Sequence, residues 1–166
     1  SPGHYNRGWH ITSTCGVIAA AAAVGKLLGL DAKRMSLALG HGATQSAGLW
    51  QLVDDDAHES KSLHPAFAVR NGMTAAFAAR AGLPGARAFV TGKRGLYALL
   101  AGDGPLGALT AGFDAPENIN TTTIKAWPCC AQLFTPMDAT RALIDTHHPA
   151  VDDIAAVEVV IFPHAL

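Results

Sequence analysis

Two histidines sit where the chain could move a proton. His10 lies two or three residues before a stretch that opens on Thr12, Ser13 and Thr14 and runs on in alanine. His64 directly precedes Pro65, a residue suited to the first turn of a helix, and Lys61 stands three residues before His64. Helix N-termini present unbonded N–H groups and partial positive charge. A histidine or lysine there adds charge where a carboxylate can bind, and an imidazole can transfer a proton near neutral pH. The residues alone leave open the alternative that each histidine only bonds backbone at a helix start. Charge placement points the same way as the chemistry. From Lys61 to Gly102 the chain carries Lys61, Arg70, Arg80, Arg87, Lys93 and Arg94 and no acid. Arg80, Arg87, Lys93 and Arg94 read as a solvated surface balanced by Asp54, Asp55, Asp56 and Glu59. Lys61 and Arg70 are the members expected to face a small anion.

Other chemistries lack their residues. Cys129 and Cys130 are adjacent, without the spacing of a zinc knuckle, and His147 and His148 are consecutive. Neither the dinucleotide fingerprint, the P-loop nor the Gly-x-Ser-x-Gly elbow occurs. No cofactor and no metal is therefore expected. Cys15 reads as a small buried residue.

The elements that must position these residues follow from pattern. An Ala-rich helix is expected from the Thr12–Thr14 hydroxyls to about Leu30, with Gly29 ending it. Asp31 is the expected N-cap of a second helix from Ala32 to about Leu39, interrupted by Gly40-His41-Gly42. A short helical piece over 44–53 leads into the acidic loop. A helix from Pro65 to near Gly82 places Ala66, Val69, Met73, Ala76 and Phe77 on one face, and a short helix covers 96–100. Glycine and proline crowd residues 102–120, which predicts a boundary near residue 113. Beyond it, 120–127 is expected to be extended. Thr135-Pro136-Met137-Asp138 reads as a helix start running to about His147, and 154–162 reads as a strand with no partner strand after it.

The whole chain has 166 residues, 49% hydrophobic and 15% charged, with 12 basic and 13 acidic side chains. That excludes a disordered chain. Near-neutral charge argues against a general nucleic-acid or membrane-surface binder. The longest apolar run, 15–25, is too short for a bilayer span. Three cysteines make no disulfide framework, and a cytoplasmic protein is expected. The first residue is not methionine, and the closing strand has no partner, so the chain reads as an internal piece of a longer protein.

Three segments together resemble the 2-methylcitrate dehydratase family, also called MmgE/PrpD. They are Gly8-Trp-His-Ile-Thr-Ser-Thr-Cys-Gly16 with its Ala-rich helix and Lys26-Leu-Leu-Gly-Leu-Asp31, then Lys61-Ser-Leu-His64 with its following helix, and Ile124-Lys-Ala-Trp-Pro-Cys-Cys130. They stand in the family's order across nearly the whole chain. The resemblance implies a mainly α protein, with part of a large helical domain over 1–113 and the beginning of a smaller α+β lid domain over 114–166. It implies a cofactor-independent lyase-type enzyme of small di- or tricarboxylates, acting by proton transfer next to a carboxylate and working as a homodimer. It matches His10 and Lys61 to catalytic positions and puts His64 in the same motif as a candidate for substrate binding, to which the charge placement adds Arg70. Dehydration, decarboxylation and epimerisation all occur in the family. Family chains are longer, with an N-terminal helical segment that carries catalytic acidic and histidine residues. They often carry a histidine four residues after the second cysteine, where this chain has Phe134. These departures support the alternative of a non-catalytic helical relative that only binds or dimerises.

Overall fold

Small side chains decide how the helices of this protein meet. The structure, a computed structural model, describes residues 2–101, 105–112 and 118–161. The chain divides into two units, Ser1–Ala111 and Gly112–Leu166. In the first, α1 (Pro2–Asn6) and α2 (Ile11–Thr14) lead into α3 (Gly16–Leu27), α4 (Ala32–Ala43) and α5 (Leu63–Arg80). The last three pack against one another around Val17, Ala21, Ala38, Ala76 and Ala79, each 1% exposed or less. Alanines and glycines at these positions let the backbones approach closely. A Cβ on Gly72 of α5 would stand 2.5 Å from the Ala20 Cβ and 2.7 Å from the Val17 carbonyl oxygen of α3.

This packing corrects the expected interruption at Gly40-His41-Gly42. Helix α4 runs through both glycines to Ala43. Gly40 is buried where a side chain would strike the Ala86 carbonyl, and Gly42 lies against Ala21 and Val17. Tertiary contact outweighs the weak helix propensity of glycine here. Asp31 caps α4 as expected, its carboxylate accepting from the Arg34 N–H at 2.7 Å. Gly29, at φ +65°, takes the left-handed conformation that closes α3.

The Thr12–Thr14 hydroxyls cap nothing. The chain instead turns at Cys15, so that α2 and α3 are separate, and Cys15 is exposed rather than buried. Residues 44–53 form only one 3-10 turn, Trp50–Leu52, and the expected helix over 96–100 is a π-turn at Tyr97–Ala101.

The second unit holds α6 (Phe134–His147) and short 3-10 turns. Thr135 lies inside this helix and does not cap it; the residue before the helix is Leu133. Asp138 instead accepts from the Trp127 indole N–H at 3.1 Å, and the Lys125 ammonium donates to the Cys129 carbonyl at 2.7 Å. Residues 118–121 form a 3-10 turn, and 122–127 follow without strand pairing. Residues 154–161 form no strand either, since nothing in the described chain offers them a ladder. Residue 162 and the 113–117 part of the expected boundary lie outside the described residues. Among the described residues, no helix is long and apolar enough to cross a membrane.

Candidate active site

A two-rung backbone clasp places His10. The Trp50 N–H donates to the Gly8 carbonyl at 2.7 Å, and the His10 N–H donates to the Gly48 carbonyl at 2.9 Å. Trp9 and Leu49 pair between them as an antiparallel bridge. Gly48 sits at φ +113°, a conformation open to glycine, and a side chain there would strike Ser13. The clasp therefore brings the start of α2 and the turn before Trp50 together with little room to slip. Below it, Thr14 is 1% exposed; its hydroxyl lies 3.3 Å from the His10 carbonyl and 2.9 Å from His4 Nε2.

Held this way, the His10 ring meets two side chains from distant parts of the sequence, His64 and Trp50. Its Nδ1 is 2.6 Å from Nδ1 of His64, 54 residues away in the first turn of α5. The Trp50 ring stacks at a tilt, with centroids 4.4 Å apart. The Lys61 ammonium lies 5.2 Å from the centroid of the same indole. Tyr5 covers Trp50 from another side, with ring centroids 5.3 Å apart. His10 is 7% exposed. Burial, then the neighbouring His64 and the positive charge of Lys61, lower its pKa from 6.5 to about 4. His10 is therefore a neutral imidazole at physiological pH.

The contact between the two imidazoles restricts their protons. Two N–H groups or two lone pairs facing each other at 2.6 Å would repel, so the gap holds one proton. His64 is half-buried and opens onto a cavity of about 400 Å³. Ser13, Gln45, Gly48, Arg70 and Asn71 also line it. That volume falls in the usual range for small-molecule sites. Arg70 stands at this cavity but does not join the His10 cluster. It is exposed, its Nε–H donates to Asn71 Oδ1 at 3.2 Å, and its guanidinium lies 5.0 Å from the Phe67 ring centroid.

Of the residues singled out in the sequence, His10 and His64 meet, Lys61 lies over the Trp50 ring that stacks on His10, and Arg70 shares the cavity with His64. Trp50 is the group that sequence reasoning passed over. Its only signal was a bulky aromatic in an otherwise small-residue, polar stretch before the acidic loop. Among the described residues, no group of three or more histidine, cysteine or acidic side chains is gathered in a way that could hold a metal ion.

Comparison with known proteins bears on the same segment. The family model of the MmgE/PrpD N-terminal domain matches residues 1–108, which include every residue of the cluster. Cis-aconitate decarboxylase of Aspergillus terreus is 41% identical over 68 residues, and so is that of strain NIH 2624 / FGSC A1156. Each match covers 41% of this chain and 14% of the decarboxylase, so the match spans about one seventh of the curated relatives.

Proposed function

Since this chain belongs to the MmgE/PrpD family, we propose that it forms part of a lyase-type enzyme acting on a small di- or tricarboxylate by proton transfer at the carbon next to a carboxylate. The observation that carries this reading is the contact of His10 with His64, which lines a cavity, with the Lys61 ammonium over the Trp50 ring that also stacks on His10. Removing such a proton leaves enolate-like charge on the substrate. The Lys61 ammonium and the Arg70 guanidinium supply positive charge to stabilise it. A neutral imidazole takes the proton and returns it. The resemblance to cis-aconitate decarboxylase makes citrate-like acids the first substrates to try, with decarboxylation, dehydration and epimerisation all compatible with these groups. Residues 1–113 are proposed as the helical part of the enzyme, and 114–166 as the beginning of its lid.

Thermal unfolding with and without tricarballylate, an unreactive tricarboxylate, tests the binding half of this proposal. At about a hundred times its dissociation constant, a ligand adds roughly 2.7 kcal/mol to stability. Lys61→Ala is expected to remove most of the shift. A shift that survives Lys61→Ala and His64→Ala together would reject the site. Incubating the full-length protein with citrate-like acids, read by proton NMR, tests turnover. Phe134 favours a second reading, a family member that binds but does not react. Binding without turnover in the full-length protein is its expected signature.

The apolar side chains that α5 leaves exposed, among them Phe67, Val69, Met73 and Phe77, support a homodimer. Light scattering should give twice the chain mass at micromolar concentration; a monomer there would overturn that part of the proposal.

A further inference from the structure

We infer that His64 is the proton-transferring group of this site and that His10 is the positioning residue behind it, fixing His64 as the tautomer that carries its proton on Nδ1 and keeps the Nε2 lone pair for the ligand. The inference rests on the functional reading above and assigns roles within it. Three observations of geometry support it. First, His64 lines the cavity, together with Arg70 and Asn71, whereas His10 does not. Second, the 2.6 Å contact joins the two Nδ1 atoms and holds one proton, so one ring donates and the other accepts. Third, His10 is the immobilised member: the backbone clasp holds its N–H, and Trp50 lies against its ring.

The direction of donation follows from the surroundings. The cation beside the pair is Lys61 from the 58–62 turn, and Arg70 from α5 lines the cavity onto which His64 opens. His4 stands farther back, behind Thr14. Burial, His64 and Lys61 hold the pKa of His10 at about 4, so it is poorly suited to carry an added proton. A neutral His10 that accepts from His64 Nδ1–H leaves the basic nitrogen of His64 as Nε2. In the reaction, His64 Nε2 takes the proton, and the electron pair of the broken C–H bond stays on the substrate as the enolate. His64 becomes an imidazolium whose Nδ1–H still bonds His10, and Nε2 later returns the proton. His10 acts on His64 as an orienting partner does in hydrolytic triads, with a neutral acceptor in place of a carboxylate.

Imidazole 15N NMR of the protein at pH 8, assigned with His10→Asn and His64→Asn variants, tests this directly. The expected spectrum has His64 protonated at Nδ1 and unprotonated at Nε2, with His10 the reverse. His10→Asn, whose carbonyl oxygen can still accept, should keep the His64 tautomer. His10→Ala should release it. The opposite tautomers, with His10 donating, would overturn the inference, as would a His64 tautomer indifferent to His10→Ala. Tricarballylate should then shift His64 Nε2 toward its protonated signal and leave His10 Nε2 in place. A shift at His10 instead would overturn the assignment. Unmoved resonances with the expected tautomers would support the pair and reject the polycarboxylate reading on its own.

Discussion

On the proposed acid–base reading, replacing His64 with asparagine should lower turnover by the full-length protein about 10²- to 10⁴-fold, the usual contribution of a positioned acid–base group. His10→Asn should cost far less, about tenfold, and His10→Ala should fall between the two. The ranking matters more than any single value. Asparagine at position 10 still offers an acceptor to His64 Nδ1–H, whereas asparagine at position 64 has no proton to exchange. If His10 were itself the acid–base group, both of its substitutions would be equally damaging and His64→Asn would be the milder change. Because the two rings work as a unit, the His10→Ala/His64→Asn double variant should be little worse than His64→Asn alone. Initial rates at saturating substrate, with whichever polycarboxylate the NMR screen identifies, measure the series.

The second large effect is loss of stability in acid. His10 has a folded-state pKa of about 4 against 6.5 when unfolded. Above pH 6.5 the ring is neutral in both states, and its contribution to stability is fully present. As the pH falls from 6.5 toward 4, the unfolded chain takes up a proton that the folded chain does not, and stability is lost. Below about pH 4 both states are protonated and the loss levels off. At about 1.4 kcal/mol per pKa unit the full shift is worth about 3 kcal/mol, a large part of the stability of an ordinary domain. Burial also lowers the pKa of His4, which adds to the loss in the same direction. Urea unfolding at pH 7.5 and pH 4.5 should show the drop, and His10→Asn should remove most of it. A wild-type midpoint indifferent to pH over this interval would contradict the neutral, buried state of His10.

Local signals in the sequence located the long helices, while tertiary contact decided the details. Asp31 before Ala32 and Gly29 after Leu28 are short-range signals, and both act as their types suggest. Gly40 and Gly42 are also turn signals by type, but close packing against Ala86, Val17 and Ala21 keeps them helical. That requirement comes from segments far along the chain, which no local window contains. The same is true at the site. Residue type and position before helix starts marked out His10, Lys61 and His64. That His10 reaches His64 through Nδ1, with Trp50 stacked beside it, depends on the clasp between 8–10 and 48–50. Nothing in either short segment alone announces that pairing. The apolar, valine-rich run at 154–161 read as a strand, but composition alone supplies no partner, and no ladder forms there among the described residues.

The closeness of α3 and α5 at Gly72 has a consequence at the level of the gene. A Cβ at this position meets the Ala20 side chain and the Val17 backbone within 2.7 Å. Every single-base change in a glycine codon that alters the amino acid gives alanine, serine, cysteine, valine, aspartate, glutamate, arginine, tryptophan or a stop. All the amino acids in that set add a side chain, so no one-step missense change preserves the clearance. Codon 72 has no near neighbour through which sequence drift could pass, whereas an exposed alanine such as Ala23 has several. Saturation mutagenesis of the gene would register the helix seam as a run of positions where only synonymous changes survive.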